Sequence, residues 1–152
     1  MNARRTILLI VLLSTSLCSA SSTSLTNWLL KRLESGQRPT LQEIKDQLSR
    51  GVRFSSDPDN GITPLYIAVR DNFDHSIVRC LLEAGADPNE ISDAPGYELG
   101  NDTPLIRAMA KQDIELVKLL IKFGADPKIS SHDALPPFFW AIADDNLEML
   151  EI

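Results

Sequence analysis

Apolar positions along this chain fall into one unbroken stretch near the start and several later segments with helical spacing. The unbroken stretch is Ile7 to Leu13. Further on, Leu41, Ile44 and Leu48 mark one face of a helix, and Ile77-Val78-Arg79-Cys80-Leu81-Leu82 forms a denser helical run. Gly36, Pro39, Gly51, Gly85 and Gly124 punctuate the segments between. This pattern predicts helices over Leu25 to Glu34 and Thr40 to Arg50, and further helices opening after Thr63 and Thr103. No alternation of strand type accompanies them.

The first stretch has its own logic. Arg4 and Arg5 precede the apolar run, which continues to Leu17 and is followed by Cys18, Ser19 and Ala20, then by polar Ser21 to Ser24. A basic segment, an apolar core and small residues one and three positions before a cut after Ala20 describe a cleavable export signal. The run is shorter than the roughly 20 residues a membrane-spanning helix needs. A lipoprotein anchor at Cys18 is the alternative, and bulky Leu17 in front of it argues against that. Residues 1–20 are therefore expected to be removed, with no membrane span afterwards, and a bacterial periplasm or secretion is the expected location.

Two later segments repeat each other in order. Gly61-Ile62-Thr63-Pro64-Leu65-Tyr66-Ile67-Ala68 returns as Asn101-Asp102-Thr103-Pro104-Leu105-Ile106-Arg107-Ala108. Ile77-Val78-Arg79-Cys80-Leu81-Leu82-Glu83-Ala84-Gly85-Ala86-Asp87-Pro88 returns as Leu116-Val117-Lys118-Leu119-Leu120-Ile121-Lys122-Phe123-Gly124-Ala125-Asp126-Pro127. Ala68 and Ala108 lie 40 positions apart, but one residue is extra within Asp71 to His75 and six are extra between Gly85 and Thr103. Without these the period is 33, and Ala108 to Ala141 is 33 uncorrected.

These motifs make the chain resemble the ankyrin-repeat family, whose signature runs Gly-x-Thr-Pro-Leu-His-x-Ala and closes on Leu-Leu-x-x-Gly-Ala-Asp. The resemblance implies an all-α solenoid of stacked helix-turn-helix units joined by hairpin loops. Residue chemistry agrees: Thr63 and Thr103 suit helix N-caps, Pro64 and Pro104 suit the first helical position, and Gly85 and Gly124 suit left-handed helix ends. Ala68 and Ala108 are small enough for helix pairs to approach closely. Where the family has histidine after Thr-Pro-Leu, this chain has Tyr66, Ile106 and Phe139, so the usual hydrogen bonds to neighbouring turns are lost or replaced.

The expected organisation is a signal peptide over 1–20, a degenerate helical cap over 21–57, repeat 1 over 58–90, repeat 2 with a hairpin insertion over 91–130, and an incomplete repeat 3 over 131–152. The third unit has Pro136 in place of the capping threonine and stops inside its second helix. An open repeat face leaves apolar surface bare, so the array reads as a fragment, with an abrupt C-terminal cap as the alternative.

Charge narrows the partner class. Loss of residues 1–20 leaves 132 residues and takes away Arg4 and Arg5, so 13 basic residues stand against 21 acidic ones and the formal charge is −8. Nucleic acid is a poor partner for such a chain, since phosphate binding needs clustered Lys and Arg. A neutral or basic protein fits better. Cys80 is then the remaining cysteine, in a helical apolar run where it serves as a small buried hydrophobe.

Motifs for catalysis are absent from the sequence: no Gly-x-Ser-x-Gly, no phosphate loop, no His-Glu-x-x-His and no cysteine pair. His75 and His132 sit in or beside turns and read as solvated. Asp57-Pro58-Asp59-Asn60-Gly61 looks superficially like a calcium loop, but Gly61 takes the fifth ligand position and Ala68 the twelfth. No enzyme activity, cofactor or metal is expected.

Binding remains, on the extended surface that a repeat stack offers. In the family, contacts come from hairpin tips and the exposed end of the first helix. Carried over, the resemblance marks Asp59, Asn60, Ile62, Arg70 and Asp71, then Leu99, Asp102 and Lys111, then His132, Asp133, Leu135 and Asp144. Ile62, Leu99 and Leu135 are expected as apolar side chains on tips. The inserted segment Glu90 to Leu99 adds Tyr97, a residue type favoured as an interface anchor. The expected role is a non-catalytic adaptor or immunity-type inhibitor of an exported enzyme or toxin. The alternative is the repeat region of a longer, host-directed effector.

Overall fold

Short helices arise here because capping residues stand close together and each helix has one apolar face. The computed structural model describes residues 24–52, 54, 61–92 and 102–129. Six α-helices follow in order: α1 Leu25–Glu34, α2 Leu41–Ser49, α3 Pro64–Arg70, α4 His75–Glu83, α5 Pro104–Ala110 and α6 Ile114–Lys122. An isolated antiparallel bridge between Ser92 and Asp102 is the extended pairing among the described residues. The segment expected to be an export signal, the expected third repeat and the two expected hairpin tips lie outside the described residues.

The starts are set by side-chain oxygens. Ser24 accepts from the Asn27 N–H at 3.2 Å, Thr63 from Tyr66 at 3.1 Å and Thr103 from Ile106 at 3.3 Å. Thr40 and Glu43 form a reciprocal capping box at α2. The Thr40 backbone N–H, at 2.9 Å, is the main cause that holds the Glu43 carboxyl below its ordinary value. Glu43 also pairs with Arg32 of α1, tying the two cap helices together. Pro64 and Pro104 occupy the first turn of α3 and α5, where a missing donor costs nothing.

The ends are set by left-handed residues. Gly85 and Gly124 have φ of +96° and +92°, and the residues after them close the helix: Ala86 N–H donates to Leu81 and Ala125 N–H to Leu120, both at 3.0 Å. The first helices of repeats 1 and 2 end instead on Asn72 and Gln112, at φ +54° and +57° without glycine's freedom. Phe73 N–H reaches Ala68 O as Asp113 N–H reaches Ala108 O, but Asp74 rather than Phe73 is the N-cap of α4 where Asp113 is that of α6, so repeat 1 divides between Phe73 and Asp74 what Asp113 does alone.

Helices α1, α3 and α5 stack in a row, α2 packs on α4, and each repeat's two helices pack as a pair. Ala68 and Ala108 are fully buried in this row, where a larger side chain would hold α3 and α5 apart. Leu65, Tyr66, Ile67, Leu81, Leu105, Ile106 and Leu120 fill the interior. Cys80 is half-buried against that core, and burial pushes its thiol up, away from the reactive thiolate. No helix among the described residues is long and apolar enough to cross a membrane.

Candidate functional site

The exposed ends of α3 and α5 bring Arg70, Asp71 and Lys111 together. The Arg70 guanidinium forks onto Asp71, Nε to Oδ1 at 3.0 Å and Nη2 to Oδ2 at 2.8 Å. Lys111 reaches back from repeat 2 and donates to the Val69 carbonyl at 2.7 Å, the Arg70 carbonyl at 2.6 Å and Asn72 Oδ1. Those carbonyls lie at the C-terminus of α3, where a cation is favoured. Burial, then the Arg107 charge one turn away, pushes the Lys111 ammonium below its ordinary value. From the other side Arg38 donates to the Asn72 carbonyl at 3.2 Å. The turn at Asn72 is thus gripped by both neighbouring units, and the polar groups of this edge are engaged within the stack.

Ile62 and Asp102 are corrections to the sequence-based expectation. Each immediately precedes a capping threonine, and at that point the chain has already turned into the stack. Ile62 is 4% exposed and belongs to the core, and Asp102 is fully buried. Neither side chain presents itself on a tip. Asp59, Asn60, Tyr97, Leu99, His132, Asp133, Leu135 and Asp144 lie outside the described residues.

Buried Asp102 has a partner from the next helical turn: Arg107 Nη2 is 3.0 Å from its Oδ2. The same Nη2 donates to Tyr66 Oη at 2.6 Å, and the Arg107 guanidinium lies 5.6 Å from the Tyr66 ring centroid. Tyr66, at the family's histidine position, therefore replaces that residue's links with a different set running to repeat 2. Burial, with the Asp102 carboxylate beside it, pushes the Tyr66 hydroxyl up to about 12. Burial also raises the Asp102 carboxyl, against the opposing pull of Tyr66 and Arg107.

Two further links join the repeats. Asn89 Nδ2 donates to the Gly124 carbonyl at 2.9 Å while its Oδ1 accepts from Asp126 N–H at 2.7 Å. His75 Nε2 lies 2.8 Å from Asp113 Oδ2, and Asp113 Oδ1 caps α6 by accepting from Leu116 N–H at 3.1 Å. His75, read as solvated, is 44% exposed yet has this partner on the neighbouring repeat. The pair borders a cleft of about 340 Å³ lined by Ala68, Val69, Asn72, Phe73 and Leu116. Among the described residues, no group of three or more His, Cys, Asp or Glu side chains is placed to hold a metal ion.

Ile91 is the exposed large hydrophobic among the described residues, at 44% exposure, and stands next to fully buried Ser92 in the inserted hairpin. It fell within the inserted segment on sequence but was not singled out. An apolar residue in a loop was the signal that would have found it.

A family model described as "Ankyrin repeats (3 copies)" matches residues 17–131 and again 74–152. The chain is 36% identical over 102 residues to ankyrin repeat and SOCS box protein 5 of Bos taurus, covering 66% of this chain and 28% of that protein. It is 27% identical over 105 residues to ankyrin repeat protein nuc-2 of Neurospora crassa, covering 69% of this chain and 9% of that one. The chain thus spans under a third of the length of these curated relatives. With the repeat motifs, the paired helices and the family match in agreement, this chain belongs to the ankyrin-repeat family, whose repeats are protein–protein interaction modules.

Proposed function

We propose that this chain is an exported, non-catalytic binding protein that holds a protein partner with its hairpin tips and the concave face of its first helices. Within that role it acts as an adaptor or as an immunity-type inhibitor of an exported enzyme or toxin. Ile91 carries the reading: 44% of a large apolar side chain stays in water, on a hairpin longer than the repeat requires. An aliphatic group left exposed beside a rigid base offers burial to a partner, of roughly 25 cal/mol for each Å² removed from water. The engagement of Arg70, Asp71 and Lys111 in contacts within the stack supports placing recognition at the hairpins rather than there. Export is supported by Arg4 and Arg5 ahead of Ile7 to Leu13, and by the small residues before the cut after Ala20.

The test expresses the chain with its first 20 residues in place and captures it from the exported fraction. Intact mass is expected to show the loss of residues 1–20, with a specific protein recovered by the wild type and depleted by Ile91→Asp. Retention of residues 1–20 would refute export, and equal recovery by both forms would refute the hairpin as the contact.

A further inference from the structure

The long hairpin leaves the stack from a base that is unusually well held. Its two flanks meet where Ser92 N–H donates to Asp102 O at 3.2 Å, and both residues are fully buried. Ser92 Oγ in turn accepts from the N–H of Thr63, the cap of α3, at 3.4 Å. Asp102 meets Arg107 of α5, and Arg107 meets Tyr66 of α3. One cluster therefore ties together both flanks of the hairpin and the first helices of two repeats.

The preceding junction is built differently. Its positions equivalent to Asp102 and Arg107 are Ile62 and Ile67, both buried and apolar. Apolar pairs pack without preferred direction, whereas a guanidinium nitrogen shared between a carboxylate and a tyrosine hydroxyl favours one arrangement. A buried ion pair contributes little net stability against an apolar replacement, and its best-attested use is to specify register. Among the described residues this charged cluster stands at the junction that carries the inserted hairpin.

We propose that Tyr66, Asp102 and Arg107 are positioning residues that clamp the base of this hairpin and set the direction in which it leaves repeats 1 and 2. Their importance for recognition rests on the binding function proposed above, but the clamp itself is testable without a partner. Native-state amide exchange on the full chain reads it directly. Arg107→Met should speed exchange at Ser92 at least tenfold more than at Val78 and Leu81 in α4. Tyr66→Phe, which deletes only the hydroxyl, should give a smaller increase of about threefold at the same amide, and it stands in if Arg107→Met fails to fold. Equal acceleration at Ser92 and in α4, or none at Ser92 in either variant, would overturn the clamp. A clamp that passes while Ile91→Asp leaves partner recovery unchanged would instead sink the binding reading.

Discussion

Replacing Lys111 by methionine keeps the apolar stem of the side chain and removes only the ammonium. In the folded chain that ammonium satisfies two carbonyls at the end of α3 and the Asn72 side chain, so the loss falls on the junction of repeats 1 and 2. Hydrogen bonds to a charged group are worth about 1.5–3 kcal/mol each, and a cation at a helix C-terminus adds about 0.3–1 kcal/mol. Against this stand up to about 2 kcal/mol for ordering a lysine, and water that replaces part of the contact at a half-exposed site. With water replacing all but about one of the three contacts at full strength, a net destabilisation of about 1.5–2 kcal/mol is expected. At about 4 °C per kcal/mol for a domain of this size, the Tm should fall by about 6–8 °C. Thermal unfolding followed by circular dichroism measures it, with Lys45→Met at an exposed position of α2 as the control. A fall no larger than the control's would refute the assignment of Lys111 to repeat stacking and return it to the free surface.

Gln112 holds a left-handed φ of +57°, a conformation that costs a residue with a Cβ about 1–2 kcal/mol. Gln112→Gly should therefore stabilise the chain by about 0.5–1 kcal/mol once glycine's greater freedom in the unfolded state is subtracted, read from the urea midpoint at unchanged slope. Burial raises the Asp102 carboxyl above its ordinary 3.8, so the folded chain binds that proton more readily than the unfolded chain. The burial penalty is complete above the folded value and falls away as pH drops through it toward 3.8. On acidification from neutral pH the wild type should thus gain stability relative to Asp102→Asn, measured as the difference in Tm across a pH series. A wild type that loses ground over that interval would mean that the Arg107 pair outweighs burial.

The parts of the fold written in local chemistry were readable in the sequence. Thr63-Pro64-Leu65 and Thr103-Pro104-Leu105 state the cap, first turn and first buried residue of α3 and α5 within three positions. Gly85 and Gly124 announce left-handed helix ends because few other residues tolerate that φ. The boundaries of α1 were equally plain, since Ser24 and Gly36 bracket its apolar spacing. What escaped was chemistry between repeats. Lys111 meets α3 across about 40 positions, as does Arg107 with Tyr66, and nothing local distinguishes such a cation from a solvated one. Ile62 and Asp102 misled for another reason. They sit in loop-like sequence before the helical period begins, yet the stack has already closed over them.

The central claim, that this ankyrin stack recognises a protein through its long hairpin, is tested most directly by excising residues 93–99 of that loop and measuring capture. A chain lacking residues 93–99 retains Ser92, Asp102 and their bridge and should melt within about 2 °C of the wild type. It should lose the partner that the wild type recovers from the exported fraction. Undiminished capture by that chain at an unchanged Tm would contradict the claim.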